Sequence, residues 1–417
     1  MTRRILIVGA GRSGLQLAHG LHAEGYDVHV MTAQRPEEIR TAPPSVTQFS
    51  LPSVRAAEQR LGLDFYGDLA PPLRGLHLDL YPPGAAGPLT VAGAWPGTAV
   101  AVDSRHLQAD WLEALEDLGA RIVYHGCTIS DLEGLVRMYD LVVVATGAAM
   151  LGEHFPDTTP PGQVAAHRRV ITQVLCEGVE PSPSGPDHVE VVSAPQGRIL
   201  LAPILSPYGP ATSVCVMDSP RGPLDGSHLR PARGRPDPQQ VLDWITAALR
   251  AHFGEVAPRI EAAEPIDAYA ALVTTVRPHV REPVAEVAGG YVLGLGDTLV
   301  HTDPLAGQGW AVSSISATAY LHRICDHAAR EFTWGWMAET AQAAWRTGVA
   351  AAHRLSGALH AMWEPGAPPH MAEVLAAAAG HAEVADRFVA GVADPGDYET
   401  WLYDPDAARA YLSSVGP

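Results

Sequence analysis

Ile5-Leu6-Ile7-Val8 runs straight into Gly9-Ala10-Gly11-Arg12-Ser13-Gly14 and on into Leu15-Gln16-Leu17-Ala18-His19-Gly20-Leu21. Four uninterrupted aliphatic residues suit a parallel strand covered on both faces. The leucines that follow recur at helical spacing, so the G-x-G-x-x-G loop sits between a strand and a helix. There Gly9 permits the tight turn, Gly11 lets a pyrophosphate approach the backbone, and Gly14 lets helix and strand pack closely. The free amides of the helix start, around Ser13, face the phosphates, where the helix dipole also favours negative charge. A second strand, Asp27 to Met31, follows in the required order, and the segment reads as a dinucleotide-binding unit. The acidic residue expected after that strand, which would hold the adenosine ribose, is missing. The chain continues Thr32-Ala33-Gln34-Arg35, and Glu37 and Glu38 lie too far along. The adenosine half is then held loosely, or by the Thr32 hydroxyl and the Gln34 amide.

Three further segments belong with this one. Tyr291-Val292-Leu293-Gly294-Leu295-Gly296-Asp297 reads as a buried strand ending in Gly-Asp. Six residues later Asp303-Pro304-Leu305-Ala306-Gly307-Gln308-Gly309 precedes a helical run from Trp310 to Ile324. Tyr139 to Gly147 is another buried strand, ending in Ala145-Thr146-Gly147. Val102-Asp103-Ser104-Arg105 opens an amphipathic helix to about Leu118, with Asp103 or Ser104 as its N-cap.

A strand ending in Gly-Asp, then Asp-Pro-x-x-Gly-Gln-Gly opening a helix, resembles the second FAD fingerprint of flavoprotein aromatic hydroxylases. The resemblance implies that Asp297, beside Gly296, bonds the ribityl chain. It also implies that Pro304, Gly307, Gln308 and Gly309 face the flavin, and a flat ring close to the backbone leaves no room for a Cβ at the two glycines. Ala145-Thr146-Gly147 is similar to the strand end that closes over FAD in these proteins. Arg105 stands where an arginine often contacts the ribityl or phosphate part, a helix-surface role being the equal alternative.

Over nearly the whole chain the pattern is most similar to the oxygenase component of styrene and indole monooxygenases. Asp131-Leu132-Glu133-Gly134-Leu135 before Tyr139-Asp140, the spacing of the Gly-Asp and Gly-Gln-Gly motifs, and the segment Glu383 to Tyr398 carry that likeness. It implies an FAD-dependent monooxygenase that receives reduced FAD from a separate NADH-dependent flavin reductase. With O2 the cofactor would form a C4a-hydroperoxide and oxygenate an apolar aromatic or alkene substrate of styrene or indole type. Two other readings stay open: a single-component hydroxylase reduced by NAD(P)H, and a degenerate flavin-binding carrier or partner protein. The segment Arg40 to Gln48 departs from the styrene-type pattern, which makes Pro44 and Val46 candidate substrate-pocket residues. Trp310 stands where relatives carry a small or polar residue, so it either shapes the flavin site or packs in the core.

The expected fold is α/β. A Rossmann-like FAD-binding domain of glutathione-reductase and aromatic-hydroxylase type comprises residues 1–50, 98–155 and 285–330. An inserted β-sheet substrate domain takes residues 51–97 and 156–284, and a helical C-terminal region takes residues 331–417. Within the insert, Val189 to Ser193, Arg198 to Ala202 and Ser213 to Met217 read as strands and Gln239 to His252 as a helix, and Trp345 to Leu359 and Val374 to Phe388 read as helices near the end.

Composition supports a globular protein: of 417 residues, 47% are hydrophobic and 18% charged, enough to bury a large core. The net charge of -18, with every basic residue an arginine, argues against nucleic acid and anionic lipid as partners. Cys127, Cys176, Cys215 and Cys325 have no CxxC or zinc-ligand spacing, so no metal is expected and the thiols read as reduced. No signal segment and no apolar run of about 18 residues is found, which points to a soluble cytoplasmic protein, with a homodimer open. The nineteen histidines are scattered and form no recognisable triad.

Overall fold

The computed structural model describes residues 3–83, 87–148, 150–159, 168–327, 330–362 and 367–415. The strand Arg4–Val8 sits inside a six-stranded sheet ordered Val284–Val287, Gly290–Gly294, Leu141–Val144, Arg4–Val8, Asp27–Thr32, Arg121–Tyr124. All neighbours are parallel except the first two. Ile5 to Val8 are at most 2% exposed, as an aliphatic run covered by helices on both sides requires. The helix Arg12–Ala23 follows the glycine loop and packs against the helix Gly309–Cys325. Gly20 makes the approach possible, since a Cβ there would meet Leu321 at 2.5 Å.

The second sheet has eight strands. Its order is Glu264–Pro265, Arg169–Glu177, Gly209–Asp218, Gly197–Ser206, His188–Ala194, Leu73–Leu80, Leu89–Ala99, with Ala271–Val276 also on Arg169–Glu177. Side chains alternate across a strand, so Leu76, Leu78 and Leu80, Val189, Val191 and Ser193, and Arg198 and Leu200 share one face. The strands expected around Val189, Arg198 and Ser213 are present, and the helix after them runs Pro238–His252.

From Trp334 onward the described elements are helical. The run Val374 to Phe388, expected as one helix, is two: Pro369–Gly380 and Ala382–Ala393 meet at His381, whose backbone is extended (φ -130, ψ 118). Gly380, a weak helix former, ends the first of them. The chain is therefore α/β, with a parallel Rossmann-like core and a helical C-terminal region. Among the described residues no helix is long and apolar enough to cross a membrane, and no group of acidic, histidine and cysteine side chains suits a metal ion. The four cysteines are unbonded.

Candidate functional site

The carboxyl ends of the parallel strands open onto a cleft of about 460 Å³, where open α/β sheets place their ligands. Gly9, Gly11 and Ser13 form its floor. Gly9 has φ +112, and a Cβ on it would lie 2.3 Å from the Ala145 carbonyl; a Cβ on Gly14 would lie 2.4 Å from the Gly9 carbonyl. Those two glycines are fixed by packing of the protein on itself. Gly11 is different, because its nearest neighbour would be 3.7 Å away and the space above it is the cleft.

Thr32 and Gln34 line one end, with the Thr32 hydroxyl 3.4 Å from the Gln34 amide. His125, Gly126 and Cys127 line it as well. The sequence reading missed these three, although the signal was available: they follow the parallel strand Arg121–Tyr124. Glu38, too far along to reach a ribose, caps its own short helix by accepting from the Arg35 amide at 2.8 Å.

Ala145, Thr146, Gly147 and Asp297 close the cleft from the side. Two polar atoms here lack a hydrogen-bond partner, Thr146 Oγ1 and Asp297 Oδ1. Loss of hydration pushes the Asp297 carboxyl above the usual range, against His301 and Ser313, which favour its ionised form. Gly296 has φ +62, and a Cβ there would meet Ser13 Oγ at 2.7 Å, so the Gly-Asp turn lies directly on the first glycine loop.

The Asp303–Gly309 loop separates this cleft from a second space. Asp303 caps the turn Pro304–Ala306 through the Leu305 amide at 3.1 Å and pairs with Arg169 at 3.0 Å. Gly307 has φ +64, while its Cβ would touch the Phe49 ring at an ordinary 3.6 Å. Within the protein, then, the left-handed backbone selects glycine there and crowding does not. Gln308 is fully buried and donates to the carbonyls of Ala306 and Val392. Pro304 and Gly307 border the second space, whereas Gly309 and Trp310 border the cleft.

That second space is an apolar cavity of about 90 Å³ against the face of the eight-stranded sheet. The segment Ser45 to Phe49 is a wall common to both: Ser45 and Gln48 face the cleft, Val46, Thr47 and Phe49 the cavity. Gln173, fully buried, fixes this segment, accepting from the Thr47 amide and donating to the Ser45 carbonyl. Of the pocket candidates, Val46 lines the cavity, Trp310 lines the cleft, and Pro44 is buried but borders neither. Leu355, Leu359, Phe388, Val392 and Tyr398 complete the cavity from the C-terminal helices. Their spacing in the sequence is that of any packed helix, which is why they read as core.

Arg105 is not on the cleft. It is 2% exposed and pairs with Asp103 at 2.5 Å and Asp267 at 3.1 Å, while its neighbours Ser104 and Gln108 line the cleft. Asp103 is the N-cap, accepting from the Arg105 amide at 3.0 Å. Trp310 is 2% exposed, and its Nε1 donates to Glu58 at 2.8 Å. Glu58 also takes Arg12 at 3.0 Å and the Ser50 hydroxyl at 2.9 Å, and the Arg12 guanidinium lies 4.0 Å above the Trp310 ring.

Residues 147–259 match the family described as "Styrene monooxygenase A putative substrate binding domain". The styrene monooxygenase StyA of Pseudomonas fluorescens is 30% identical over 331 residues, 78% of this chain and 78% of that protein. The chain belongs to the styrene monooxygenase family. A second StyA, from Pseudomonas sp, is 29% identical over the same shares of both proteins. Among solved structures the flavin-dependent brominase Bmp2 has a TM-score of 0.66 at 14% identity, covering 99% of this chain and 100% of that one, a likeness of fold. As a member of the styrene monooxygenase family the protein is a flavoprotein monooxygenase.

Proposed function

We propose that the cleft holds FAD and that the apolar cavity takes an aromatic or alkene substrate for oxygenation. Thr32, Gln34 and Gly126 would hold the adenosine end, Gly9 to Ser13 the pyrophosphate, Asp297 and Thr146 the ribityl hydroxyls, and Gly309 the ring system, with Pro304, Gly307 and Gln308 behind it on the loop toward the cavity. The unpartnered Asp297 Oδ1 and Thr146 Oγ1 fit a polyhydroxyl chain, and the open space above Gly11 fits a phosphate that must approach the backbone. The domain division that goes with this reading gives residues 1–50, 98–155 and 285–330 to FAD. Residues 51–97 and 156–284 then carry the substrate sheet, and 331–417 its helical cover.

The observation that carries the proposal is the shared wall. Ser45 to Phe49 and the Asp303–Gly309 loop each contribute residues to both cleft and cavity, so a ring system along that loop would lie beside a molecule in the cavity. When bound, reduced FAD supplies the activation of O2 and an electrophilic oxygen atom. The chain's own part is to exclude water and hold the substrate: among the described residues the cavity lining offers no carboxylate, imidazole or thiol. At about 90 Å³ the cavity is smaller than the roughly 150 Å³ site that accepts benzene elsewhere. The flexible Met217 and Met362 on its wall can yield to one ring, which favours a styrene-type over an indole-type substrate.

The family relationship supports delivery of reduced FAD by a separate NADH-dependent flavin reductase, and the chain carries a single G-x-G-x-x-G. The test is to mix protein, photoreduced FAD and styrene with ¹⁸O-labelled oxygen. Label in the epoxide supports the proposal, and unlabelled or absent product overturns it. Substrate-stimulated oxidation of NAD(P)H by the protein alone would replace the two-component reading with the single-component one.

A further inference from the structure

Four arginines are buried among the described residues: Arg12, Arg105, Arg169 and Arg198. Three are neutralised by carboxylates, Arg12 by Glu58, Arg105 by Asp103 and Asp267, and Arg169 by Asp303. Arg198, 6% exposed, has no carboxylate at salt-bridge distance among the described residues. Its guanidinium donates to the Leu305 carbonyl and, at 3.2 Å, to the Ser193 hydroxyl, and its Nε meets no acceptor. Burial lowers the guanidinium to about 10, with Asp303 opposing that shift from beyond salt-bridge distance and Arg169 adding to it, so it stays charged at neutral pH. A buried charge whose acidic neighbour, Asp303, is already paired with Arg169 is costly, and an anion that reaches it relieves that cost.

The position matters as much as the charge. Arg198 is the one charged residue among the described residues lining the apolar cavity, and it binds the loop Pro304 to Gly307 that forms the cavity's end. The planar fork of an arginine matches a carboxylate in two parallel hydrogen bonds. Resting on the reading of this cavity as the substrate site, we propose that Arg198 anchors a carboxylate carried by the substrate. The preferred substrate class is then an aromatic or alkenyl acid, with its apolar part against Leu78, Val191 and Leu200. This departs from the hydrocarbon expected from the family alone.

Benzoate and toluene are single rings of nearly the same shape, with and without the carboxylate, and their binding to the FAD-loaded protein can be measured calorimetrically. The wild type should prefer benzoate. Arg198→Met should weaken benzoate roughly ten- to a hundred-fold and affect toluene far less, and Arg198→Lys should fall between. Melting and FAD affinity of both variants serve as fold controls, and the wild-type preference tests the idea even if a variant does not fold. Toluene binding with no preference for benzoate, or benzoate binding that survives Arg198→Met, overturns the inference and leaves the cavity reading intact. Arg198 would then only brace the Leu305 loop. Failure of the wild type to bind either probe overturns the cavity reading and this inference together.

Discussion

The side-chain oxygen of Gln173 accepts a hydrogen bond from the Thr47 amide at 2.9 Å and lies 3.1 Å from the Thr47 hydroxyl. Its amide nitrogen donates to the Ser45 carbonyl at 3.1 Å, so one buried side chain stands in for the sheet partner that this irregular segment lacks. Gln173→Leu keeps the approximate shape and removes every polar contact. Leaving the Thr47 N–H and the Ser45 C=O unpaired should lower stability by roughly 2–4 kcal/mol. Urea unfolding measures this, and an unchanged midpoint would show that the wall is held by other contacts.

The two glycines of the first loop should fail in different ways. Gly9→Ala forces a Cβ to within 2.3 Å of the Ala145 carbonyl in a backbone that L-residues rarely adopt, so the protein should not accumulate folded. Gly11→Val points its side chain into the cleft, and the protein should melt near the wild-type temperature while losing FAD affinity at least tenfold. Parallel melting curves and flavin titrations check both. Intact FAD binding by Gly11→Val would remove the pyrophosphate from this loop.

Asp297→Asn separates cofactor binding from stability. FAD affinity should drop roughly ten- to a hundred-fold with the loss of a charge-assisted hydrogen bond. The cofactor-free protein should behave oppositely. Because the native carboxyl is raised above the usual range, it favours folding below about pH 4 and loses that contribution as pH rises through its native value. Relative to the wild type, Asp297→Asn should therefore gain stability as pH rises from about 4 to 7. Urea midpoints across that range test the sign.

His279 gives the reverse dependence. It is 3% exposed, contacts the carbonyls of Arg277 and Asp297, and is lowered to about 4 by burial and then by Arg281 and His301. Its contribution is full above the unfolded value near 6.5 and disappears as pH falls through 4, about 3 kcal/mol in all. His279→Asn should flatten the loss of stability between pH 6.5 and 4. A variant as acid-sensitive as the wild type would assign that loss to another group.

Local patterns made much of this site legible. Gly9, Gly14 and Gly296 are glycines for steric reasons internal to the backbone, and such reasons leave a mark in a single sequence. Asp103 was legible as an N-cap for the same kind of reason. Arg105 was not, because its partner Asp267 is 162 residues away and an ion pair has no sequence spacing. The same holds for Gln173 and the Thr47 segment, and for Arg198, whose importance lies in lacking the partner its buried counterparts have. The cavity's helical wall was hidden for another reason: Leu355, Phe388 and Tyr398 look like core residues and are core residues, and only the gap beside them differs.

Glu58 contributes neither to the cleft nor to the cavity lining, yet it holds Arg12 of the first glycine loop and Trp310 of the second motif on a single carboxylate oxygen. The first glycine loop and the start of the second motif's helix are thereby yoked through a helix, Pro52–Arg60, that contains neither. A lineage that altered this helix would shift the first glycine loop and the start of the second motif's helix together.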